Sequence, residues 1–74
     1  MSRNIYDYSK LKGRITEVFG TRKAFGKAMG WSNVTLTVRL NDESQWRQDE
    51  IEKAVELLRL DHSDISEYFF AKVV

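Results

Sequence analysis

Asn33, Val34, Thr37, Val38 and Asn41 are the residues of this chain whose types and spacing come nearest to a chemistry. Wound as a helix, Val34, Thr37, Val38 and Asn41 fall at i, i+3, i+4 and i+7 and share one face. Methyl groups, a hydroxyl and carboxamides are what base edges in the DNA major groove are read with. A methyl meets the thymine methyl, Thr and Asn hydrogen-bond to the edges, and Asn33 suits adenine. The plainer account of the stripe is a solvated outer face. Arg22, Lys23, Lys27, Ser32, Arg39, Gln45 and Arg47 accompany it with groups that hold phosphate oxygens. Arg22 and Lys23 also open a helix, where backbone amides attract anions. For Lys27, Arg39, Gln45 and Arg47, a merely solvated side chain is an equal alternative.

Other chemistries are poorly supplied. His62 is the single histidine and there is no cysteine, so a transition-metal site lacks ligands. Asp49, Glu50, Glu52 and Glu56 fall on one regular helix and read as a solvated face. No nucleophile stands beside a base, so no catalytic residue, cofactor or small-molecule ligand is expected. Gly26-x-x-x-Gly30 copies a membrane dimer motif in surroundings too polar for lipid. Asn33-Val34-Thr35 matches the glycosylation sequon, an accident in a chain that is not secreted.

Seventy-four residues make one small domain, 1–74, with room for a binding surface but hardly for an enclosed pocket. No signal peptide opens the chain and no run of about 18 apolar residues crosses it, so a cytoplasmic protein that does not enter membranes is expected. The charge is unevenly spread. Residues 1–40 hold eight Lys/Arg against two acids, and residues 41–74 hold four against nine. A basic face for a polyanion, with the acidic half turned away, is one account; two solvated surfaces of opposite sign is the other.

The stripe needs helices to carry it. Tyr8, Leu11, Ile15, Val18 and Phe19 recur at helical spacing and stop at Gly20. Thr21 can cap a second helix, about 21–29, that turns Phe25, Ala28 and Met29 inward and ends at Gly30. Gly26 should weaken that helix by roughly 1 kcal/mol relative to alanine. Ile51, Ala54, Val55 and Leu58 mark a later helix, with Asp49 and Glu50 in its dipole-favoured first turn. Ser63 can cap a short fifth that buries Ile65, Tyr68 and Phe69. Trp31 should pack between the second and third helices, and Trp46 should anchor the loop after the third.

The segment "SNVTLTVRLN" is the ambiguous one, because Val34, Leu36, Val38 and Leu40 alternate with polar residues as in a strand. A lone strand would leave its backbone groups unpaired. As a helix over about 32–41, capped by Ser32, it places Leu36 and Leu40 on the core side at i, i+4. The sequence therefore predicts an all-α bundle of about five short helices, with a C-terminal tail that is either extended or folded back.

"TRKAFGKAMGWSNVTLTVRLND" resembles the helix-turn-helix of the phage Cro/repressor family. Gly26 stands four before the turn glycine Gly30, Leu36 six after it, and Leu40-Asn41-Asp42 takes the place of the family's "LNG". "QDEIEKAVELL" resembles that family's fourth helix. With "YDYSKLKGRI" and "YFF" at its ends, the whole chain is similar to short regulators of Gram-positive prophages. The resemblance implies a transcriptional regulator that binds a double-stranded DNA operator, with 32–41 as recognition helix. It also implies two-fold operators, which favours a homodimer through the apolar tail Tyr68–Val74 over a tail that folds back. No second domain is expected after the bundle, as in a Cro-like protein. The alternative is a protein-interaction module, such as an antirepressor that uses the same fold to bind a repressor.

Overall fold

A computed structural model describes residues 5–73. Five α-helices follow one another: α1 (Ser9–Phe19), α2 (Arg22–Met29), α3 (Asn33–Leu40), α4 (Gln48–Leu57) and α5 (Ile65–Phe69), the last entered through a 3-10 turn at His62–Asp64. Among the described residues there is no strand, only one antiparallel bridge between Tyr6 and Lys72.

The ambiguous segment is helical. Ser32 Oγ accepts from the Thr35 amide at 3.2 Å, which satisfies one of the N–H groups that a helix start leaves open. Thr21 does the same for α2, accepting from the Ala24 amide at 3.1 Å. Between the two helices Gly30 adopts φ +78, a left-handed conformation that side chains disfavour. It lets the Trp31 amide reach back to the Gly26 carbonyl at 2.9 Å. Gly26 itself faces α3 closely: a Cβ built there would lie 3.0 Å from Leu36 Cδ2.

Leu36 and Leu40 join Leu11, Ile15, Phe25, Met29, Val55 and Leu58 in the core. An aromatic chain runs through it, edge to face, from Phe19 to Phe25, Trp31, Trp46 and Phe69, with successive centroids 5.6, 6.0, 5.1 and 5.0 Å apart. Trp31 and Trp46 thus sit where the sequence places them. Trp46 also donates its indole N–H to the Arg39 carbonyl at 3.1 Å, pinning the loop to the end of α3.

Ser63 does not cap the fifth helix. Asp61 precedes the 3-10 turn instead, and its amide donates to Asp64 Oδ2 at 3.1 Å. The tail is folded back onto the arm. Asp7 N–H donates to the Ala71 carbonyl at 2.7 Å, and Val73 N–H to the Ile5 carbonyl at 3.0 Å. Residue 74 and residues 1–4 lie outside the described residues.

Asp42 fastens this arm and tail to the end of α3. Its carboxylate is 1% exposed. Oδ2 accepts from the amides of Ile5 (2.8 Å) and Tyr6 (3.0 Å), and the Tyr8 hydroxyl stands 3.5 Å from Oδ1. Asp42 holds φ +54, which aspartate tolerates better than most residues. Asp42→Gly removes the acceptor while relaxing that backbone. The expected cost is about 1–3 kcal/mol, limited because the freed arm amides can turn to water. Urea unfolding reads the loss, and amide exchange should show Ile5, Tyr6 and Val73 losing protection together.

Candidate functional site

α3 carries the candidate site because its two faces do different work. Leu36 and Leu40 close the core, while Val34 projects outward, 73% exposed. Asn33, Thr37 and Asn41 are exposed in line along the helix, and Val38 is half-buried beside them. The Thr37 hydroxyl donates to the Asn33 carbonyl at 2.8 Å, which fixes its rotamer and leaves its methyl outward. So the five residues expected to read a ligand do gather on one surface.

That surface is a ridge between hollows. One, of about 390 Å³, is lined by Asn33, Val34, Thr37, Val38 and Glu43. A smaller one of about 210 Å³ lies on the α2 side, where Arg22 meets Asn33, Thr37 and Asn41. A third, of about 450 Å³, opens between the arm and the end of α3, with Lys12, Asn41 and Glu43 on its walls. None holds a nucleophile against a base. Among the described residues no group of three or more His, Cys, Asp or Glu could hold a metal ion. No helix among them is long and apolar enough to cross a membrane.

The expected phosphate-binding set divides. Arg22, Lys23 and Lys27 are exposed along α2, and Gln45 is exposed in the loop after α3. Ser32 is exposed and spends its hydroxyl on the cap of α3. Arg47 precedes α4 and reaches Asp49 at 3.4 Å in solvent. Arg39 is the correction. Its guanidinium is 14% exposed and meets the Glu50 carboxylate through Nε (2.9 Å) and Nη2 (3.2 Å). Its Nη1 donates to Ser44 Oγ at 2.6 Å, and it lies 5.9 Å from the Trp31 ring centroid. An arginine so engaged is a structural strut, its guanidinium turned to Glu50 and Ser44. Burial alone would raise the Glu50 carboxyl. The hydrogen bonds from Arg39 and the Arg47 amide, with both guanidinium charges, outweigh it and hold the group below its usual value.

Glu43 also lies on this surface, where the sequence reading did not place it. It stands just past α3, anchored by its amide to the Val38 carbonyl at 2.9 Å, and it lines two of the three hollows. Its signal was weak: in sequence it is one acid in an acidic half, and only the turn at Asp42 brings it onto the α3 surface.

The comparisons agree with a helical module but move it to a different family. The profile of a family described as "Protein of unknown function (DUF739)" matches residues 4–72. No curated protein matches the chain. Among solved structures, the chain is similar to the solution structure of the modulator of repression (MOR) of the temperate bacteriophage TP901-1 from Lactococcus lactis. Identity is 52%, 88% of each chain is covered and the TM-score is 0.79. These findings overturn the resemblance to the phage Cro/repressor family. A small residue four before a turn glycine and a leucine six after it serve the packing of two short helices across a tight turn. Gly26 against Leu36 serves that purpose here, so the pattern does not separate the families. The chain belongs to the DUF739 family.

Proposed function

We propose that this chain is a protein-interaction module that acts on a phage repressor by binding it. The observation that carries this reading is the 52% identity to a phage modulator of repression over 88% of both chains. Of the two functions the sequence suggested, it favours the repressor-binding alternative over operator binding. Two features of the chain lend support. Arg39 is withdrawn from the cationic set into a partly buried ion pair. Val34 stands 73% exposed beside a hollow whose rim carries the Glu43 carboxylate. Exposed apolar groups with a mixed polar rim suit a protein surface better than a polyanion.

In this reading the outer face of α3 is the contact surface: Val34 and Val38 supply apolar contact, and Asn33, Thr37 and Asn41 supply polar edges. Val34→Asp puts a charge into that contact at a position that folding does not use. Titration calorimetry with the repressor encoded in the same phage genome should show affinity falling tenfold or more, about 1.4 kcal/mol. The melting temperature should stay within about 2 °C of wild type, as for most exposed substitutions. A wild-type chain that binds no repressor, or a variant that binds it equally well, would refute the reading.

A further inference from the structure

We propose that Glu43 is the specificity residue of the α3 surface: its carboxylate receives a lysine or arginine side chain of a protein partner and turns nucleic acid away. The partner half of this inference rests on the repressor-binding reading above; the rejection of nucleic acid stands on the geometry alone.

Glu43 is held in place rather than loosely tethered. Its own amide (2.9 Å) and that of Ser44 (3.2 Å) both donate to the Val38 carbonyl, so the residue is tied to the last turn of α3. Asp42, the residue before Glu43, is itself buried and held by the arm. From there Glu43 lines both the hollow beside Val34 and Val38 and the hollow beside the arm. Its side chain is exposed, and its nearest polar partner is the Asn41 amide nitrogen, 3.5 Å from Oε2. Among the described residues no cation comes within ion-pair distance of it.

The hollows beside α3 therefore differ in sign. Arg22 is the charged residue of the one on the α2 side, Glu43 is that of the one beside Val34 and Val38, and Lys12 shares the third with Asp7 and Glu43. A helix lying in a major groove has phosphates on both sides, and binding strength follows the number of phosphates that cations neutralise. On this chain one of those flanks presents a carboxylate. A protein surface has no such requirement. A single guanidinium or ammonium group seated beside Val34 and Val38 would meet Glu43 in a partly dehydrated hollow, where charge complementarity sets partner choice.

The test uses Glu43→Gln and Glu43→Lys, with Glu56→Lys on the exposed face of α4 as a control of equal charge change. The first probe is a random-sequence 20-base-pair duplex, titrated between 50 and 200 mM salt. Glu43→Lys should raise affinity about tenfold or more over wild type and steepen the log–log salt slope by about 1, and Glu56→Lys should do neither. The second probe is the repressor from the same phage genome. Glu43→Gln should weaken that binding about tenfold and Glu43→Lys should weaken it further. If Glu43→Lys binds duplex no better than Glu56→Lys, the carboxylate does not exclude nucleic acid and the proposal fails. If the repressor binds Glu43→Lys as tightly as wild type, no partner cation is seated there and the proposal also fails. If the repressor binds no variant and not wild type either, the repressor-binding reading falls, while the duplex titration still decides whether Glu43 rejects DNA. Circular dichroism and melting confirm that each variant is folded.

Discussion

Leu36→Ala should remove about 2–5 kcal/mol of stability, toward the upper end of that range. The leucine is 7% exposed and rests on Gly26, where even a Cβ would come within 3.0 Å of it. Truncation leaves a void above bare backbone, and no side chain at position 26 can close into it. Domains of this size have total stabilities of about 5–15 kcal/mol, so the variant loses a large share. Thermal melting reads the effect: at roughly 4–8 °C per kcal/mol, the midpoint should drop by at least about 8 °C. A midpoint within a degree or two of wild type would mean that α3 does not pack on α2 through this residue. The same experiment bears on the proposed surface, because α3 can present Val34 only if Leu36 holds the opposite face down.

Arg39→Ala should cost about 1–3 kcal/mol, because the Glu50 carboxylate, with 14% of its side chain exposed, loses its guanidinium partner and keeps only the Arg47 amide. It also removes the hydrogen bond to Ser44 and the contact with the Trp31 ring. The pH dependence distinguishes this from lost packing. Glu50 titrates below its usual 4.5 in the folded chain. A carboxyl with a depressed folded value stabilises the fold fully above its unfolded value, and the contribution disappears as pH falls through the folded one. Wild-type stability should therefore decline on acidification from about pH 5 downward. In Arg39→Ala the part of that decline due to Glu50 should shrink, since the carboxylate loses the guanidinium that lowers it. Urea midpoints measured at intervals between pH 7 and pH 3 give both slopes. Parallel curves for the two proteins would show that the pair is not linked to stability.

Much of the architecture was legible because apolar spacing and capping residues pointed the same way. Ser32 and Thr21 cap the helices that they precede. The alternation of Val34, Leu36, Val38 and Leu40 favours a strand locally, yet the segment is a helix, since its backbone has no strand to pair with. What could not be read was the part decided by long-range contacts. Asp42 looked like a departure from an "LNG" ending, and its burial depends on an arm 36 and 37 residues away. The same arm takes up the tail, for which the sequence reading had favoured a second subunit. Arg39 looked like any cation on a helix flank until Glu50, 11 residues on, came beneath it. The family assignment failed for a related reason: the residues that make two short helices pack are shared between proteins that differ in what their outer faces meet. Glu43 belongs to that outer face, and nothing local distinguishes it from its acidic neighbours.

The central claim, that the outer face of α3 meets a protein rather than an operator, is tested most directly by a single titration followed residue by residue. ¹⁵N-labelled chain would be mixed, at physiological salt, with the repressor from the same phage genome in one series and with operator duplex in the other. With the repressor, saturable amide shifts or broadening should centre on Asn33, Val34, Thr37, Val38, Asn41 and Glu43, while the exposed face of α4 stays unchanged. With duplex, those resonances should stay in place. Saturable shifts on duplex addition, strongest at Arg22, Lys23 and Asn33 and absent with the repressor, would contradict the account.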